Sequence, residues 1–84
     1  MKKSIEIVRM TKLDGDSNIK AFCDISLFDS VILKGFRVMT GSNGDFVSPP
    51  REQGKDGNWY STVYFTSESV KKAIQDTVLN AYAI

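Results

Sequence analysis

The stretch VILKGFRVMTGSNGDFVSPP, residues 31–50, constrains this chain more than any other. It reads as a strand over residues 31–39, a glycine-bracketed turn, and a short strand over 45–48. Pro49-Pro50 ends that second strand, because neither proline can donate to a β-ladder. In the turn Gly41-Ser42-Asn43-Gly44, the pair Asn43-Gly44 is the strongest short-range hairpin signal, since both residues tolerate positive φ. Glycines spaced this way also occur in loops that clamp an RNA backbone. Such clamps sit between helices and these flanks read as strands, so a structural turn is the favoured reading. On the longer strand, Ile32, Phe36 and Val38 share one parity with Lys34. Val31, Leu33 and Met39 share the other with Gly35 and Arg37. Both faces are partly apolar, which predicts a central strand covered on both sides, by a helix on one and a second subunit on the other.

The remaining segments extend this sheet. Residues 4–11, SIEIVRMT, alternate as a strand with one buried face. Residues 13–18 are dense in turn formers and read as a hairpin loop. Asp14 and Asp16 there lack the longer ligand run of a calcium loop. Residues 19–28 place Ala21, Cys23, Ile25 and Leu27 on one face, and Asp29-Ser30 reads as the connection to residues 31–39. Residues 51–58, REQGKDGN, read as an exposed loop. Residues 59–65, WYSTVYF, resume as an aromatic and β-branched strand. Trp59, Tyr60 and Tyr64, if exposed, could stack on unpaired bases, but aromatics in a strand beneath a helix are more often core than surface. Thr66 or Ser67 is a good helix cap, and Val70, Ala73, Ile74, Thr77, Val78 and Ala81 then repeat at helical spacing. A helix over residues 67–82 spans about 24 Å, enough to cross several strands.

The fold class is therefore α+β: an antiparallel, five-stranded, meander-like sheet with one C-terminal helix packed on it. At 84 residues the chain is a single domain, residues 1–84, near the size at which one core suffices for stability. One helix cannot cover both faces of such a sheet, so a homodimer is expected. No apolar run approaches the length of a membrane span. Ser4, Glu6 and Arg9 interrupt any apolar segment after Met1-Lys2-Lys3, so no signal peptide is expected. The single cysteine, Cys23, leaves no internal disulfide and makes the cytoplasm the default location. On the core face it reads as a small hydrophobe.

Several chemistries lack their residues. The chain has no histidine, which removes imidazole acid–base work and the common nucleophile pairs. One cysteine without histidine removes ordinary zinc sites. No Walker loop or dinucleotide fingerprint is present. No enzymatic activity, metal or cofactor is expected. The net charge of +1 gives no global attraction for polyanions, so nucleic-acid binding needs a local cation cluster. Arg51 and Lys55 lie before the last strand, and Lys71 and Lys72 lie early in the helix. Spacing alone favours Lys71 and Lys72 as a solvated helix face, paired with Glu68 and Asp76.

A wider set of residues carries a family resemblance. Val31-Ile32-Leu33-Lys34-Gly35-Phe36-Arg37-Val38, then Gly41, Asn43, Gly44, Phe46-Val47-Ser48 and Pro50, resemble the centre of the SpoVG family (stage V sporulation protein G, a septation regulator). Lys20-Ala21-Phe22-Cys23-Asp24-Ile25, Lys55-Asp56-Gly57 and the closing Ile74-Gln75, Val78-Leu79 and Ala81-Tyr82 match in order and spacing. The resemblance runs from about Ile5 to the end. It implies a small α+β homodimer that binds DNA, with RNA as an alternative, and that regulates gene expression and cell division without catalysis. It also implies DNA contact by basic residues at the start of the C-terminal helix, here Lys71 and Lys72. After Pro50 the family is usually more basic, whereas this chain has Arg51-Glu52-Gln53-Gly54-Lys55. The expected function is thus a nucleic-acid-binding regulator with phosphate contacts from Lys71, Lys72, Arg51 and Lys55. The other reading is a protein-interaction module that docks through a sheet edge or face.

Overall fold

The computed structural model describes residues 5–15 and 17–83. Its elements run β1 (Ile5–Lys12), β2 (Ile19–Leu27), β3 (Val31–Gly41), β4 (Gly44–Ser48), β5 (Arg51–Gln53), β6 (Trp59–Ser61) and α1 (Glu68–Tyr82). β1 to β4 form one antiparallel sheet in chain order, and β5 pairs with β6 in a separate ribbon. The antiparallel sheet with a C-terminal helix is as expected, but the fifth strand does not join it. Pro49-Pro50 breaks the ladder after Ser48, and the chain turns away. The Pro50 carbonyl then accepts the Thr62 amide at 3.0 Å, so residues beyond the prolines bond to each other. The segment expected as a loop supplies β5, and the strand expected over residues 59–65 shortens to Trp59–Ser61. Ser4, expected to open the first strand, and Asp16 of the first loop lie outside the described residues.

The core is a single cluster between sheet and helix. Ala21, Cys23 and Ile25 come from β2, Phe36 and Val38 from β3, and Ile74 and Val78 from α1. Burial of each larger apolar side chain contributes about 1.5–3 kcal/mol. The helix packs across β1, β3 and β4. Ser67 caps it, its hydroxyl accepting the Val70 amide at 3.3 Å, and Glu68 adds an acid to the first turn.

Simple alternation does not survive along the strands. Cys23 pairs with Phe36 and Ile25 with Leu33, so Lys34 and Gly35 together oppose Asp24 alone. This bulge reverses the parity of β3 midway. Leu33 consequently packs on the core with Phe36 and Val38, while Ile32 is 56% exposed. The expectation that Ile32 shares a face with Phe36 is thereby corrected. A further register shift on β1, between Ile7 and Arg9, turns Met10 rather than Arg9 toward the core.

The hairpin turns also differ in detail. Ser42-Asn43 connect β3 to β4, and positive φ falls on Gly44, not Asn43. Strands on both flanks leave no helix-bounded clamp at Gly41–Gly44. Between β2 and β3 the connection is Phe28-Asp29-Ser30, one residue earlier than the Asp29-Ser30 expected from sequence. Both Phe28 and Asp29 adopt positive φ, and the Ser30 amide bonds the Leu27 carbonyl at 2.9 Å.

Candidate nucleic-acid interface

Pro49-Pro50 turns the chain against the first half of α1. A small cavity of about 30 Å³ there is lined by Pro49 and Phe65 together with Lys71. Lys71 therefore stands at the corner where β4 gives way to β5, and Arg51 follows that corner by one residue. Both are exposed. Lys72 points elsewhere on the helix and pairs with Asp76 at 3.1 Å, a surface contact worth roughly 0.3–0.5 kcal/mol. Lys55 lies in the turn between β5 and β6, at the far end of the ribbon. The fold thus brings Lys71 against Pro49, with Arg51 two residues further along the chain and Lys72 paired with Asp76.

The β5–β6 ribbon is tightly bonded at its tip. The Gly54 amide donates to the Asn58 carbonyl at 2.8 Å, and the Gly57 amide to the Gly54 carbonyl at 3.0 Å. The Tyr60 hydroxyl donates to the Asp56 carboxylate at 2.5 Å. That bond, then the Asn58 amide, holds the Asp56 carboxyl below its ordinary pKa. A Cβ at position 54 would meet the Tyr60 ring at 2.8 Å and would have to displace it.

The aromatics of this region are not core, contrary to the sequence expectation. Trp59, Tyr60 and Tyr64 are 53%, 50% and 80% exposed. Phe65 alone among them turns inward, its ring centroid 6.4 Å from that of Phe36. Residues 59–65 do not form a strand of the main sheet beneath the helix; only Trp59–Ser61 are extended, paired with β5. The helix instead lies over the β1–β4 sheet, and β5–β6 form a separate two-stranded sheet. The two glycines and the polar run of residues 51–58 were the signal that this segment leaves the main sheet.

The sheet face opposite the helix is only partly apolar. Arg9, Thr11, Phe22 and Asp24 line a shallow cavity there of about 310 Å³. The Arg37 guanidinium lies over the Phe22 ring, 6.0 Å from its centroid, with its Nε buried and without a hydrogen-bond partner. Phe22, Phe46 and Ile32 remain exposed on this side. Cys23 sits on the opposite, buried face, where burial and then the neighbouring Asp24 charge push its thiol up to about 11. That environment suits a packing residue and not a nucleophile.

Among the described residues, no group of three or more His, Cys, Asp or Glu side chains could hold a metal ion. No described helix is long and apolar enough to cross a membrane.

The SpoVG family model matches residues 3–84. The chain belongs to the SpoVG family. A relative from Symbiobacterium thermophilum is 38% identical over 76 residues, which cover 89% of this chain and 54% of that protein. Relatives from Archaeoglobus fulgidus and Bacillus subtilis are 33% and 32% identical over 75 residues, covering 88% and 77% of their lengths. All three carry the name SpoVG and are associated by that name with septation. This SpoVG-family chain thus spans about half of one relative and most of the others.

Proposed function

We propose that this SpoVG-family protein is a non-catalytic, nucleic-acid-binding regulator that acts as a cytoplasmic homodimer. The supporting observation is the meeting of Lys71 with Pro49, two residues before Arg51 in the chain. Phosphate contact requires cations from separate elements to reach one backbone together. A twofold partner would present that corner twice, at a fixed spacing along a duplex. Exposure of Phe22, Ile32 and Phe46 on the uncovered sheet face supports pairing with a second copy. Lys72 contributes less than Lys71, since Asp76 already neutralises it. Lys55 extends the contact from the ribbon tip. Septation and sporulation control would follow from regulated binding, as the relatives' names suggest.

The test is a salt titration of binding to a labelled duplex, with sedimentation to read the oligomeric state. Binding should weaken steeply with salt and fall further in the Lys71→Glu, Lys72→Glu double variant. Absence of duplex binding at low salt, or binding indifferent to those changes, refutes this reading. The same exposed face of Phe22, Ile32 and Phe46 favours a second reading, docking of a different protein. That reading predicts tight association with little salt dependence and none with DNA.

A further inference from the structure

The register of the β5–β6 ribbon sorts its charges by face. Residues directly opposite in an antiparallel pair point the same way. Arg51 is opposite Ser61 and Gln53 is opposite Trp59, so these four share one face. Glu52 is opposite Tyr60 on the other, and there the Tyr60 hydroxyl engages Asp56. The face bearing Trp59 therefore carries a cation and no acid, while the ribbon's two carboxylates belong with Tyr60. Arg51 and Trp59 stand on the diagonal of the ribbon, about 7–8 Å apart by strand geometry and within reach of long side chains. Neither is buried. The Gln53 amide donates to the Gly57 carbonyl at 3.0 Å.

We propose that the Arg51–Trp59 face of this ribbon is a stacking site for one unpaired base of single-stranded nucleic acid, with Arg51 on the adjoining phosphate. The inference rests on the nucleic-acid reading above and adds the strand state of the ligand. A base inside a duplex is already stacked on its neighbours and offers no free face to an indole. An unpaired base does, and an aromatic ring binds it with little regard to sequence. The charge of the ligand must be negative, since Arg51 is the charged group on this face. The bonded turn from Gly54 to Asn58 holds the ribbon in shape before any ligand arrives, which lowers the ordering cost of binding.

Trp59 is the only tryptophan in the chain, so its fluorescence reports this face alone. The full chain is titrated with a single-stranded oligodeoxythymidine and, separately, with a duplex of the same length. Saturable quenching by the single strand is expected. Trp59→Ala should weaken single-strand binding roughly 5- to 150-fold, leaving duplex binding unchanged. Trp59→Phe should restore most of the loss. Arg51→Gln should lower the salt dependence of single-strand binding by about 0.7 in log–log slope, the loss of one phosphate contact. Both ring variants are monitored by circular dichroism, and the exposed position predicts unaltered folding. Single-strand binding indifferent to Trp59→Ala overturns the site while duplex binding upholds the broader reading. Loss of both kinds of binding in native protein overturns both. Fluorescence that changes with protein concentration alone means a second copy covers Trp59, and it also overturns the site.

Discussion

The Asp24 carboxylate accepts the Gly35 amide at 3.1 Å, and this bond spans the bulge at which β2 and β3 change register. Gly35 has φ of +96°, a conformation that L side chains rarely adopt. A Cβ there would stand 3.7 Å from Pro50 Cβ, an ordinary contact, so backbone conformation and not a clash makes glycine necessary. Gly35→Ala should therefore lower stability by about 1–2 kcal/mol. Asp24→Ala, which leaves the amide without its acceptor, should cost about 1–3 kcal/mol. Asp24→Asn keeps an acceptor oxygen and should cost less. Urea unfolding midpoints check the order. Equal stability of the three variants and the native chain would show that the bulge does not need the bond.

Cys23 gives a stability change at alkaline pH. Its thiol is raised in the fold to about 11 from an ordinary value near 9. Between those values the unfolded chain loses the proton and the folded chain keeps it. Stability must then fall as pH rises from about 9 to 11. Other groups titrate in that range, so the informative quantity is the difference between native protein and Cys23→Ala. The variant should start less stable because it leaves a small void, and the gap should narrow across that window. A gap that stays constant would place the thiol in a solvated setting.

At the acid end, Asp56 sets the stability of the ribbon. Its folded pKa is lowered, chiefly by the Tyr60 hydroxyl, so its contribution is present above the ordinary carboxylate value and is lost as pH falls through the lowered one. Amide hydrogen exchange at Gly54 and Gly57 should quicken on acidification, before the main sheet opens. Asp56→Asn should show that faster exchange already at neutral pH. Exchange at these amides that tracks global unfolding would refute a separately opening ribbon.

Ser67 is the fourth test. Its hydroxyl accepts the Val70 amide, one of the orphan donors of the helix start. Ser67→Ala should lower stability by about 1 kcal/mol, and Ser67→Asp should retain it, through the same bond and a favourable charge at the helix N-terminus. Thermal midpoints read both. Matching losses in the two variants would mean that the cap is not where the helix draws its stability.

Local chemistry was enough to place most elements. Period-two alternation marked β1, β2 and β3, and the spacing of Val70, Ile74 and Val78 marked the helix behind its Ser67 cap. The two prolines marked the end of β4, and Cys23 was legible as core from its neighbours Ala21 and Ile25. These features depend on residues close together in the chain, and the physics that selects them is equally local. The exchange of Ile32 for Leu33 on the core face was not of that kind. A bulge is defined by two residues facing one on another strand, so it exists only once the strands have paired. The exposure of Trp59 and Tyr60 was hinted at locally by the glycines and polar run of residues 51–58, but it is decided by which strands pair with the main sheet. The corner shared by Lys71 and Pro49 is tertiary for the same reason: more than 20 residues of chain separate them, and only packing of the helix across the sheet brings them together.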